Sequence, residues 1–253
     1  MSSDDDKYAR FAKLGFEDFR RLAADPGLSQ YEKIGFPDSY REQYEGAIFQ
    51  DILAKVPPLR REGAVVLDVG PGCSQLPRMI IDHAVRAGQE VHLVDSAEML
   101  ALLPDGQRVS KVAAFFPDCP ELLQSLEGRT DAVIVYSVLH YIFVDTSLWR
   151  FLDAVLPLLA PGGHCLLGDI PNISMRKRFF DSASGKAFHR AFVGRDEDPV
   201  VHHNTLDAGQ IDDSAVFAIL ARARLAGFQA YVLPQPETLP MHNRREDILI
   251  VRP

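Results

Sequence analysis

An acid and two glycines fall together in Val65-Val66-Leu67-Asp68-Val69-Gly70-Pro71-Gly72-Cys73-Ser74. The β-branched residues before Asp68 predict a buried strand, and Pro77 shortly afterwards fits the first turn of a helix. Glycines between strand and helix let the backbone turn sharply and approach a ligand without a Cβ in the way. The helix start beyond them offers unpaired N–H groups to an oxygen-rich group. A dinucleotide loop, GxGxxG, would need a third glycine where Gln75 stands. The carboxylate two residues before the first glycine would repel a pyrophosphate and suits a ligand carrying an ammonium group. A tight turn that binds nothing is the bland alternative. A second acid, Asp95, ends the apolar run Val91-His92-Leu93-Val94. There it either accepts hydrogen bonds from the two hydroxyls of a ribose or caps the following turn.

The first segment resembles motif (D/E)xGxGxG of the class I S-adenosylmethionine-dependent methyltransferases, with Asp68, Gly70 and Gly72 in place and Ser74 for the third glycine. Asp95-Ser96 resembles the family's ribose-binding acid, and Asp118, between Pro117 and Pro120, the acid that takes the adenine amino group. The run Thr130–Tyr141 resembles the fourth motif, Leu158–Gly163 the L-x-P-G-G turn, and Leu225–Phe228 the AGF turn. The resemblance implies S-adenosyl-L-methionine as cofactor, S-adenosyl-L-homocysteine as product, and cofactor contacts at Asp68, Gly70, Pro71, Gly72, Asp95, Ser96, Asp118 and Ser137. Glu32–Pro37 and Gly168–Asn172 are weakly similar to methyltransferases of bacterial surface-polysaccharide and sugar pathways.

Methyl transfer needs an aligned acceptor and, for a hydroxyl, a place for its proton. His140, after the fourth strand, is either that base or a packed histidine. Asp169, after the fifth, is either a base or a brace for nearby N–H groups. Asn172, Arg176 and His189 are candidate acceptor contacts, because the insertion 172–210 is long enough for a substrate lid. Its Arg176-Lys177-Arg178 run reads equally as a solvated face. No metal site is expected, since the acid that metal-dependent members carry after the fourth strand is replaced by Tyr136-Ser137.

These residues need an α/β scaffold. Short apolar runs predict strands at 64–69, 90–95, 112–116, 131–137 and 164–170, separated by helical stretches, as in a Rossmann-like parallel sheet with helices on both faces. One helix is expected to start at Asp145-Thr146, with Pro157 shortening it by a turn. Strands 229–233 and 247–251 lack a helix between them and must form a terminal antiparallel hairpin, completing seven strands. Ahead of this domain, 59–253, apolar residues at helical spacing predict helices over roughly 7–24 and 38–55. This extension, 1–58, either covers the acceptor or mediates a homodimer.

A net charge of −8 argues against nucleic acid or an anionic membrane as partner. Cys73, Cys119 and Cys165 are too dispersed for a disulfide framework or zinc cluster. No apolar leader precedes the acidic start, so a cytoplasmic protein is expected. The expected reaction is methyl transfer to a hydroxyl or amine of a small metabolite, with a sugar-containing one implied by the resemblance of Glu32–Pro37 and Gly168–Asn172. A non-catalytic binding subunit acting through a protein partner is the alternative.

Overall fold

The computed structural model describes residues 14–253. The Phe11 position of the first expected helix lies outside them. Seven strands form one sheet in the order β3-β2-β1-β4-β5-β7-β6. They are β1 (Val65–Val69), β2 (Glu90–Asp95), β3 (Val109–Ala113), β4 (Thr130–Tyr136), β5 (Leu159–Pro171), β6 (Gln229–Pro234) and β7 (Arg245–Val251). The first five run parallel, and β7 runs antiparallel to both of its neighbours, β5 and β6, giving the terminal hairpin that the missing crossover predicts. The hairpin is not simply appended: β7 lies between β5 and β6, leaving β6 at the edge.

Each face of the sheet buries its own apolar layer. One gathers Leu67, Val133, Val135, Phe151, Leu152 and Ile219 beneath helices Leu148–Val155 and Asp213–Leu225. The other gathers Val66, Ile134, Leu166, Ile48, Ile52 and Ile81 beneath helices Glu45–Lys55 and Gln75–Arg86. The helix Glu45–Lys55 of the expected extension therefore packs as part of the sheet's own layer. Lys55 also reaches across to the wholly buried Asp247 on β7, at 2.7 Å.

Several expected boundaries move, among them the start of the fifth strand, at Leu159 rather than 164. The third strand is Val109–Ala113 rather than 112–116, because pairing with β2 fixes its register and sets Ala113 opposite Asp95. Phe116 instead turns into the core beyond the strand end. The helix expected to start at Asp145-Thr146 starts at Leu148, capped by Ser147, because Leu139–Asp145 already forms a helix that buries Leu139 and Ile142. The expected helix 38–55 is split into Asp38–Arg41 and Glu45–Lys55, and a one-turn helix, Gln30–Lys33, occupies the preceding loop. Pro157 does end its helix early, at Val155, in a 3-10 turn.

The helix Asp213–Leu225 is capped by the Asp212 side chain, which accepts from the Ala215 N–H at 2.9 Å. Asp212→Ala is expected to cost about 1 kcal/mol of stability in denaturant unfolding. Ligand affinity at the carboxyl ends of β1, β2 and β4 should be unchanged.

Candidate functional site

The carboxyl ends of β1, β2 and β4 converge on a cavity of about 100 Å³. Its floor is Asp68, Gly70, Pro71, Gly72, Asp95 and Ser137, and its roof is Phe16, Phe19, Ile34, Phe36 and Tyr141. The floor turns as the glycines allow, with φ of +69° at Gly70 and +67° at Gly72. The roof sits tightly on it. A Cβ at Gly70 would lie 2.8 Å from Val138 Cγ2, and one at Gly72 2.6 Å from Ile34 Cγ2.

Two carboxylates dominate the floor. Asp68 is 3 % exposed; burial above all, then Asp95, pushes its carboxyl up to about 8. Burial pushes Asp95 up to about 6, opposed by the N–H groups of Gly72 and Ser96, which donate to it at 2.9 and 2.6 Å. Asp95 thus braces the glycine turn from the next strand. Neither acid forms an ion pair among the described residues. The Ser96 hydroxyl is used otherwise, as the cap of helix Ala97–Leu100, accepting from the Met99 N–H.

Beside the cavity, Ser137 directly follows β4 and Asp169 lies within β5, two residues before its end, both with left-handed backbones (φ 61° and 57°). Such conformations in non-glycine residues persist only where surroundings enforce them. Here the Asp169 N–H donates to Asp247 at 2.8 Å, and Arg245 donates to both the Asp169 carbonyl (3.1 Å) and carboxylate (2.7 Å). The Ser137 hydroxyl donates to the Asp169 carboxylate and accepts from Arg41 at 3.1 Å. Asp169 therefore braces this corner, and its oxygens are committed to Ser137, Arg245 and Gln235. The His140 ring lies 3.9 Å from that of Tyr141, and its buried Nδ1 has no partner. Burial, then Arg245, pushes His140 down to about 3, so its imidazole is neutral throughout the working range.

The remaining candidates lie elsewhere. Asn172 caps the helix Ile173–Asp181, while its amide donates to Asp213 and Glu246. Arg176 and His189 line a separate, open cavity of about 590 Å³ with Lys177, Phe180 and His202. Asp118 is half exposed in an ion pair with Arg150 and does not line the glycine-turn cavity. Among the described residues no group of three or more His, Cys, Asp or Glu side chains is arranged to hold a metal, and no helix is long and apolar enough to cross a membrane.

Arg41, Arg245 and Ile34 were not expected as site residues. Arg41 reads in sequence as an ordinary solvated helix residue, and only the fold buries it to 5 % exposure. Tyr136 and Phe36 lie under its guanidinium, at 5.7 and 4.7 Å from the ring centres.

No family model and no curated protein sequence matches the chain. Solved structures do match in fold. The putative methyltransferase solved with the Trm112 methyltransferase activator of Haloferax volcanii is 16% identical, with a TM-score of 0.58 over 95% of this chain and 100% of that one. The N-methyltransferase NodS of Bradyrhizobium japonicum WM9, solved with S-adenosyl-L-homocysteine, is 13% identical, with a TM-score of 0.54 over 94% and 98%. The plantazolicin methyltransferase BamL, solved with S-adenosylhomocysteine and a substrate analogue, is 12% identical, with a TM-score of 0.53 over 98% and 97%. The chain has the Rossmann-like fold of these methyltransferases.

Proposed function

We propose that this chain is an S-adenosylmethionine-dependent methyltransferase acting on a small acceptor, at a hydroxyl or amine. The observation that carries the reading is the pair of buried carboxylates at the glycine turn, Asp68 and Asp95, neither of which has a cationic partner among the described residues. Buried charge of one sign is costly unless something complements it. An aminoacyl nucleoside does so: its ammonium faces Asp68, and its ribose hydroxyls donate to Asp95. The fold shared with methyltransferases supports the same ligand.

When bound, the cofactor supplies an electrophilic methyl group on a sulfonium. The chain's own residues hold and screen the reaction. The aromatic roof excludes water, and the Ser137–Asp169–Arg245 brace fixes the wall beside His140. His140 stands beside this wall with a neutral imidazole and a buried, unpartnered Nδ1, outside the cavity lining. A base pushed this low is weak toward a free hydroxyl, and a neutral amine attacks without a base. That the acceptor carries a sugar rests on the sequence resemblance of Glu32–Pro37 and Gly168–Asn172.

Calorimetric titration tests the cofactor reading. S-adenosylmethionine and S-adenosylhomocysteine are expected to bind saturably and NAD not at all. Binding of NAD alone, or of none of the three, would sink it. Methyl transfer from labelled cofactor to a panel of nucleotide sugars and free sugars then tests the acceptor class.

A further inference from the structure

The run Arg176-Lys177-Arg178 separates into two kinds of cation once folded. Lys177 is held by Asp207 and Thr205, and Arg178 by Asp213. Arg176 instead lies over the Phe180 ring, its guanidinium 5.4 Å from the centre, and forms no ion pair among the described residues. Arg244 reaches the same ring from the turn before β7. Its guanidinium lies 6.0 Å from the Phe180 centre and 5.5 Å from that of Phe188, again with no ion pair among the described residues. Its side chain donates to the Asn243 amide oxygen at 3.1 Å.

The backbone fixes the two arginines to each other. The Arg244 N–H donates to the Met241 carbonyl at 2.9 Å, and its carbonyl accepts from the Asn172 N–H at 3.2 Å. Asn172 in turn caps the helix Ile173–Asp181, which carries Arg176 and Phe180. Burial above all pushes Arg244 down; the Tyr40 phenol opposes this, and the Arg245 and Arg176 guanidinia add to it. Arg245 is already paired with Asp169. Two guanidinia held over one ring without a carboxylate are an unbalanced charge, which the ring face offsets only in part. A guanidinium stacked on a ring keeps in-plane N–H groups for an oxyanion.

The open cavity that Arg176 lines also holds Glu197, Asp198 and Asp207. Asp198 pairs with Arg190 and Asp207 with Lys177, while Glu197 stands exposed at the surface. On its other side the arginine pair adjoins the Asp169 corner. Arg245, next to Arg244, lies 5.9 Å from the ring centre of Phe36, which lines the glycine-turn cavity.

We propose that Arg176 and Arg244 form a site for an oxyanion, a phosphate or carboxylate carried by the methyl acceptor. This rests on the methyltransferase reading above and narrows its acceptor to an anionic one.

The test is titration of the full chain with pyrophosphate and malonate, small anions of the two chemistries, at low salt with S-adenosylhomocysteine present. Saturable binding is expected, and the tighter probe tells phosphate from carboxylate. Arg176→Met and Arg244→Met should each weaken it about tenfold or more, the loss of one charge-assisted hydrogen bond. Arg178→Met, in the same run but paired with Asp213, should bind as the unsubstituted chain does. Arg176 is exposed, so its variant reads the site even if Arg244→Met fails to fold. Binding of neither probe, or binding unchanged in Arg176→Met, overturns the proposal. So would free sugars methylated as readily as their phosphates or uronic acids. S-adenosylhomocysteine affinity should be unchanged in Arg176→Met. Its failure to bind the unsubstituted chain would overturn the cofactor reading, while the anion titrations still decide the arginine site.

Discussion

Asp68→Asn is expected to weaken S-adenosylhomocysteine binding about a hundredfold to a thousandfold, the cost of removing one partner from a buried charge pair. In the same variant the ligand-free protein should become more stable. Asp68 is wholly inside, beside a second acid, and its carboxyl is pushed up to about 8. An unfolded aspartate ionises near 4, so folding forces this group either to hold a proton or to carry a charge without a partner. The sign follows: its contribution destabilises the fold increasingly as pH rises from about 4 to about 8, and is constant above that. Asparagine keeps the shape and removes the charge, so the gain should be on the order of 2 kcal/mol at pH 8. Thermal melting with and without S-adenosylhomocysteine reads both effects. A variant that melts lower without ligand, or that binds as tightly as the original, contradicts the assignment of Asp68 to a ligand cation.

Ligand affinity should also rise steeply with pH. At pH 7 the Asp68 carboxyl of the free protein holds its proton, yet an ammonium group pairs with the ionised form. Binding therefore releases a proton, and affinity should grow about tenfold per pH unit from about 6 to about 8, then level off. Below about 6, Asp95 holds a proton as well and the slope should steepen, because its ionised form is the better acceptor for ribose hydroxyls. Titrations at pH 5.5, 6.5, 7.5 and 8.5, each in buffers of different ionisation enthalpy, measure the slope and count the protons. An affinity that does not change over this range would mean that no buried carboxylate ionises on binding. Asp68→Asn should flatten the segment between 6 and 8 and leave the steeper acid limb.

The strands that carry the site were legible in the sequence because each is a local apolar run buried on both faces. β1, β2 and β4 fall where the runs end, and the acids Asp68 and Asp95 sit at their carboxyl ends. The glycine turn was legible for the same reason: strand, acid, glycines and helix follow one another in a single stretch. The terminal hairpin followed from a missing crossover. β3 was misplaced by three residues, since an edge strand half exposed along its length takes its register from its neighbour rather than from its own pattern.

By itself, then, the sequence determined the parallel sheet, the turn and the acids at its centre, all local in the chain. Only the tertiary structure decided what surrounds them. Arg41 and Ser137 lie 96 residues apart, and Asp169 and Arg245 lie 76 apart. Their partnership depends on the cover segment folding back over β1 and on β7 entering between β5 and β6. It depends equally on which charges those moves bury, and composition and spacing do not record burial. Asp118 shows the converse: placed suitably in sequence, it turns outward to Arg150, because the chain beyond β3 sends Phe116 rather than Asp118 into the core.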